Sequence, residues 1–290
     1  MNFSDVANLC DRLLYSMEVR FAVESDWPML VKFYLRVYRP HHPLHSKEFW
    51  MWRFGDPENG SSVIAESNGS IVGHVGINRC SGVAWIINVY LDTDHRGQGL
   101  LTKLYALAET RGLLAATNIN GPGIGMYKKM GWIEHSKLIR YVLVDDNASA
   151  MELFTPSVNT YDTKEPTGNH YWKQPGMKGI LLEDGSSCVD FLHFGGIRMV
   201  EIGDPNLVPG MMQSLNARWA DYVTSQNDPL CDELVKLGWK LDHEASVPWL
   251  FDPIDLVSRM DVNVFAKLPL PESLIIRRWD SDHGRVGSIR

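Results

Sequence analysis

The chain lacks most of what would tie it to a membrane, a metal or a nucleic acid. No apolar run is long enough to span a bilayer. The first residues, MNFSDVANLCDRLL, have neither the basic start nor the apolar core of a secretory signal. Four cysteines, Cys10, Cys80, Cys188 and Cys231, lie far apart with no Cys-x-x-Cys pair, which argues for reduced thiols rather than a disulfide or metal framework. Positive charge is in deficit: 28 Lys and Arg against 35 Asp and Glu leave a net charge of −7. That balance does not suit a nucleic-acid surface. The expectation is a soluble, cytoplasmic protein with no metal, no nucleic-acid partner and no membrane contact.

What is present is globular material in quantity. The 290 residues are 44% hydrophobic and 22% charged, enough for two modest domains or one large one. After a short N-terminal helix candidate, MEVRFAVESDWPMLVKFYLRVY reads as strand, then Ser25 or Asp26 as helix cap, then helix. SSVIAES and IVGHVGINRC flank an Asn-Gly turn and predict a hairpin. VAWIINVYLD is the next strand, and Leu101, Leu104, Tyr105 and Ala108 recur at helical spacing before the stop at Gly112. LLAATN reads as a strand, GPGIGMYKKMGW as a short helix, and IEHSKLIRYVLVDD as a strand pair or one long strand.

From about residue 146 periodicity fades into Pro, Asn, Thr and Ser, and it restarts near 173. Tyr127–Trp132, YKKMGW, is then echoed by Leu234–Trp239, LVKLGW. Each closes a short helix that follows a short strand, and the order strand, strand, strand, helix, strand, helix, Gly-Trp occurs twice. That order makes duplication the better reading, with domains at 1–145 and 173–290 joined by a crossing segment at 146–172.

The chemistry centres on VYLDTDHRGQGLLTKL. A helix start leaves backbone N–H groups unpaired and partly positive, and glycines just before it let an anion approach. The stretch is no P-loop, since no Gly-Lys-Ser/Thr follows, and no full dinucleotide fingerprint, since the third glycine is missing. A glycine pair alone would favour a tight strand-to-helix turn with no ligand. Arg96 adds a cation, two apolar strands bracket the helix, and Tyr127 precedes a Gly-aromatic corner.

On these residues the chain resembles the GNAT N-acetyltransferase superfamily, whose signature is Arg/Gln-x-x-Gly-x-Gly/Ala followed downstream by Asn and Tyr-x-Lys-x-Gly-Phe. The resemblance implies an α+β fold of tandem mixed β-sheets flanked by helices, the second copy degenerate, with acyl-coenzyme A as cosubstrate. It assigns Arg96, Gly97, Gln98, Gly99, Leu100, Leu101 and Thr102 to the pyrophosphate, with Leu101 replacing the usual Gly or Ala. It places Asn120 beside the pantetheine arm and has Leu91 and Thr93 bond that arm through their backbone. Tyr127 becomes the general acid for the departing thiolate, a phenol near pKa 10 facing a thiol near 8.5.

The base is open. Where many members of the family carry Glu, this chain has Asn88, which cannot titrate and can only orient water or substrate. His74 is the nearest strand-borne titratable group, with a pKa suited to the task, although a satisfied structural histidine is the slightly favoured reading. His193 and Glu201 are weaker candidates, and Asp92 and Asp94 read as solvated turn residues. The second copy has Leu234 where Tyr127 stands and GDPNLVPGMM in place of the glycine turn, so it is expected not to bind coenzyme A.

Such tandem forms resemble bacterial acyltransferases acting on nucleotide-linked amino sugars for surface polysaccharides. That implies transfer of an acetyl or short hydroxyacyl group, such as 3-hydroxybutanoyl, to a dTDP-linked deoxyamino sugar. Trp50, Trp52, Arg53, Arg277 and Arg278 would supply an aromatic shelf and cations. An acetyltransferase for a small, peptide or antibiotic amine, and a non-catalytic acyl-coenzyme A-binding module, remain the alternatives.

Overall fold

A computed structural model of the chain describes residues 17–118, 121–135, 137–154, 170–176, 179–182, 184–191, 195–247 and 262–282. The N-terminal helix candidate, Cys10, Asn120 and His193 lie outside the described residues. The chain divides into two compact units between Ala116 and Thr117.

In the first unit the strands β1 (Met17–Phe21), β2 (Gly60–Ser67), β3 (Ser70–Cys80), β4 (Val83–Leu91) and β5 (Leu113–Asn118) lie side by side in chain order. The first four run antiparallel and β5 runs parallel to β4. Both hairpins close on two-residue turns that need a left-handed backbone. Asn68 and Gly69 have φ of 51° and 72°, and Ser81 and Gly82 have φ of 53° and 75°, the twist that suits adjoining strands. Helix α1 (Trp27–Val37) buries Leu30, Phe33 and Tyr34, and α2 (Lys47–Phe54) buries Phe49, Trp50, Trp52 and Phe54. These side chains and Ile64, Ile71 and Ile87 form one core. Helix α3 (Leu100–Ala108) carries Leu104, Tyr105 and Ala108 inward, as their spacing predicts. Asp26, read as a cap for α1, instead accepts from the Val23 amide at 2.8 Å and pairs with Arg20 at 2.6 Å.

The second unit holds α4 (Gly121–Lys129), β6 (Ile133–Glu134), β7 (Leu138–Val144), β8 (Gly179–Leu181), β9 (Ser187–Phe191), β10 (Gly196–Glu201), α5 (Val208–Ser214), β11 (Trp219–Ser225), α6 (Cys231–Lys236), β12 (Lys240–Leu241), β13 (Asn263–Ala266) and α7 (Arg278–Asp282). Its six-stranded sheet has the order β12-β7-β11-β10-β9-β8. IEHSKLIRYVLVDD is thus two strands with different partners: β6 pairs with β13, and β7 runs antiparallel to β11 from Leu138↔Ser225 to Val144↔Trp219. The compact division therefore falls ahead of α4, whereas the sequence grouped α4, β6 and β7 with the first domain.

The physical reason is that β7 is a central strand whose partners come late in the chain. Its Arg140 lies in a buried ion cluster, with Nε donating to Asp221 at 2.9 Å, while Arg198 donates to the same carboxylate at 2.8 Å. The two guanidiniums hold Asp221 below the usual carboxylate range against the cost of its burial. Apolar clusters pack on the sheet, one around Met199, Tyr222, Leu234 and Trp239, the other around Val142, Trp219, Tyr171 and Trp279.

The echo of YKKMGW by LVKLGW has a structural origin. Gly131 and Gly238 take φ of 73° and 86°, and the same pair of bonds closes each helix. Trp132 N–H donates to the Tyr127 carbonyl at 3.1 Å and Gly131 to Lys128; Trp239 donates to Leu234 at 3.0 Å and Gly238 to Val235. This is a Schellman stop, in which the residue after the glycine also packs on the residue whose carbonyl it caps. The parallel pairs β4–β5 and β10–β11 match as well, each holding three rungs: Val83↔Leu113 to Trp85↔Ala115, and Gly196↔Trp219 to Arg198↔Asp221.

Candidate active site

Beyond Trp85 and Ala115 no pairing joins β4 to β5 among the described residues, so the outer edge of β4 is open from Ile86 onward. The register against β3 shifts there. Ile87 lies opposite Gly76 and Tyr90 opposite His74, leaving an extra residue in β4. Asn88 stands in this bulge with φ of +50°. Asp92 N–H donates to Val72 of β3 at 2.8 Å, so by strand alternation Val89 and Leu91 direct their amides away from β3, to the open edge.

At the end of that strand a short turn (Thr93–His95) leads into Arg96-Gly97-Gln98-Gly99. Gly97 and Gly99 take φ of 75° and 72°, Gly99 forming the cap of α3. Among the described residues, no acceptor takes the amides of Gly97, Gln98, Gly99, Leu100, Leu101 or Thr102. Space stands open beside both glycines, since a Cβ on either would meet no atom within 4 Å. This exposed row of amides at a helix start is an anion cradle. It fits a pyrophosphate, and Leu101 contributes its N–H despite its larger side chain.

Arg96 donates through Nε to the Leu91 carbonyl at 3.0 Å, and Gln98 donates to the Asp94 carbonyl at 3.0 Å. The Thr93 carbonyl accepts from the Arg96 amide at 3.2 Å. Of the two backbone positions expected to meet a pantetheine arm, Leu91 thus lies on the open edge and Thr93 in the turn. Asp92 is not the solvated residue expected, because its carboxylate accepts from Arg36 at 2.6 Å, while Asp94 is exposed.

His74 is fully buried in β3. Its Nδ1 lies 2.9 Å from the Asn88 carbonyl, and its Nε2 lies 2.7 Å from the Ser62 hydroxyl and 3.0 Å from that of Tyr34. A carbonyl only accepts, so Nδ1 carries the proton and Nε2 is left as the acceptor. Burial pushes the imidazole down to about 4, against the opposing pull of the Asn88 carbonyl. Of the two readings of His74, base or satisfied structural histidine, its burial and its three partners support the second.

The same shift sets a stability trend. The unfolded chain binds a proton at His74 near pH 6.5 and the folded one near 4, so folding stability is full above 6.5 and falls as pH drops from 6.5 toward 4. Urea midpoints measured across that window should decline in the wild type and decline less in His74→Asn.

Tyr127 belongs to the second unit. It is buried, stacked at 5.4 Å on Phe265 and packed at 4.8 Å against Trp132. Glu201 is exposed at the end of β10. The turn equivalent to the glycine loop is closed in this unit. Gly203 N–H donates to Ser186 at 2.8 Å, Asp204 to Asp184 at 3.2 Å, and Asn206 to Asp204 at 2.9 Å. Pro205 and Pro209 have no N–H to offer. The amides that would bind an anion are spent on neighbours, two of them on carboxylates.

The proposed shelf residues do not form a shelf. Trp50, Trp52 and Arg53 are buried in the first core, Arg53 lying 5.5 Å over the rings of Phe49 and Trp52. Arg278 is buried, and Arg277 donates to Tyr222 at 2.9 Å. At the helix start the expected loop residues, Arg96 to Thr102, lie together at the N-terminus of α3. The sequence missed Tyr34, Tyr38 and Ser62 around His74 and the bulge; the one local signal was an asparagine, tolerant of left-handed backbone, inside a β-branched strand.

Residues 27–132 match the model of the Acetyltransferase (GNAT) family. No curated protein matches the sequence. Among solved structures, a Pyrococcus horikoshii protein assigned as an acetyltransferase aligns at 14% identity over 94% of this chain and 95% of its own, with a TM-score of 0.53. A tandem GNAT protein of the clavulanic acid biosynthesis pathway aligns at 12% identity over 88% of this chain and 100% of its own, with a TM-score of 0.48. The PaiA N-acetyltransferase of Thermoplasma acidophilum, solved with coenzyme A, covers 42% of this chain and 92% of its own at 16% identity and a TM-score of 0.34. At 14% identity the first of these speaks to the fold alone, and it does so across both units. Among the described residues no cluster of potential metal ligands occurs and no helix is long and apolar enough to cross a membrane.

Proposed function

We propose that the chain moves an acetyl or short acyl group from coenzyme A to the amine of a nucleotide-linked amino sugar. The observation that carries the acyl-coenzyme A part is the row of unclaimed amides from Gly97 to Thr102, at the end of a strand whose outer edge is open. The pyrophosphate occupies that row and the pantetheine arm lies along β4 past Val89 and Leu91. The amine nitrogen attacks the thioester carbon, a C–N bond forms, the C–S bond breaks, the nitrogen releases its extra proton to solvent, and the thiolate takes a proton from a donor that solvent then recharges. Tyr127, in the family's motif position, is the donor of that proton. The acceptor reading draws its support from the second unit, kept at full domain size although its own anion turn is closed.

Burial of Trp50, Trp52 and Arg53 favours a second reading, a small, peptide or antibiotic amine as acceptor. Thiol release from acetyl-coenzyme A, with a dTDP-linked amino sugar compared against the same free sugar, separates the two. The nucleotide-sugar reading expects at least a tenfold preference for the linked form. Equal rates remove it in favour of the small amine.

A further inference from the structure

The geometry points to His74 and Tyr38 as positioning residues that hold the Asn88 carbonyl, and with it the bulge that turns the outer edge of β4 to face the acyl group. This deepens the acyl-transfer reading and rests on it.

The Asn88 carbonyl has two lone pairs and two donors. His74 Nδ1–H reaches it at 2.9 Å from β3, and the Tyr38 hydroxyl at 3.0 Å from the end of α1. Both donors are themselves held. The Tyr38 ring stacks on His42 at 4.2 Å and 13°. His74 Nε2 lies 2.7 Å from the Ser62 hydroxyl of β2 and 3.0 Å from that of Tyr34 of α1, with one lone pair to offer the two, and its ring is flanked by Tyr34 at 5.2 Å, Phe54 at 5.8 Å and Phe33 at 6.3 Å. None of these facing groups carries a charge, so the imidazole stays neutral and its Nδ1–H stays committed.

A left-handed asparagine inside a strand is strained, and it persists only where its surroundings over-determine it. Here the two bonds do so. Their consequence is a change of register: without the extra residue, β4 would pair regularly with β3 and Val89 would turn its amide inward. A buried imidazole N–H needs an acceptor in any role, and an ordinary strand carbonyl would serve packing alone. The structure instead spends its one ring donor on the carbonyl of the bulge.

The test exploits the two nitrogens separately. An asparagine at position 74 places its amide N–H near Nδ1 and preserves the bond to Asn88, whereas a glutamine reaches the Nε2 position and loses it. His74→Asn should retain most of the wild-type kcat for thiol release from acetyl-coenzyme A, and His74→Gln should fall at least tenfold below it. KM for acetyl-coenzyme A should stay within a few-fold in both, because the phosphate loop is untouched. Tyr38→Phe, a change at a half-buried surface position, should lower kcat with the same sparing of KM, and covers the case of a His74 variant that does not fold. In the wild type, 15N spectra of the imidazole should show the neutral Nδ1–H form from pH 5 to 8. Equal loss in the two His74 variants, or full activity in all three, overturns the positioning role. A His74 that titrates between 6 and 7 together with an acid limb in kcat overturns it in favour of a base. A wild type that binds acetyl-coenzyme A and transfers to no amine overturns the acyl-transfer reading itself.

Discussion

Gly97→Val is expected to weaken acetyl-coenzyme A binding by well over tenfold while the first unit still folds. Two effects add. The position has φ of +75°, where a β-branched residue costs about 1 to 3 kcal/mol, and each 1.4 kcal/mol or so is tenfold in an equilibrium constant. The new side chain would also fill the open space beside the glycine, from which a phosphate must approach the amides. In the folded protein that space holds no atom within 4 Å, so the variant meets no steric clash before the ligand arrives. Calorimetric titration reads the result, with Gly210→Ala as the comparison. Gly210 lies in α5 of the second unit and likewise has open space beside it, and its replacement should leave the affinity near wild type. Unchanged affinity in Gly97→Val would return the loop to a simple turn.

Tyr127→Phe should lower turnover about a hundredfold or more if the phenol protonates the departing thiolate, the usual scale of positioned proton transfer. The ring lies 5.4 Å from Phe265 and 4.8 Å from Trp132, and phenylalanine keeps those contacts, so the melting temperature should stay near wild type. Acetyl-coenzyme A affinity should also hold, which places the whole loss in kcat. Activity within a factor of a few would leave Tyr127 as part of the helix stop and of the aromatic stack, with water as the acid. The Schellman geometry gives that outcome a definite content, since the carbonyl of Tyr127 caps the Trp132 amide whatever its side chain does.

Local chemistry was legible in the sequence because it is local. The glycines at 97 and 99, the Asn68-Gly69 hairpin and the Gly-Trp helix stops need only a few consecutive residues to declare a left-handed backbone. The doubled order of strands and helices was legible too, because duplication copies that order along the chain. The closing of the second anion turn was half legible. Its prolines and missing glycines stand in the sequence, but the side chains of Asp184 and Ser186 that claim its amides come from a preceding turn.

Environment and partnership were decided only in three dimensions. The pattern FWMWRF could supply an aromatic shelf, although Trp at helical spacing is more often core, and the packing of α2 chose core. His74 read as a base or as a satisfied structural histidine, and the two hydroxyls and the carbonyl that enclose it, drawn from three elements, are partners the sequence could not name. The strand β7 reads the same whichever sheet receives it, and partners eighty or more residues away, among them Asp221 and Asp242, place it in the second. The residues themselves set which conformations and hydrogen bonds are available at each position. Burial and long-range pairing depend on which distant segments meet, and that selects among them.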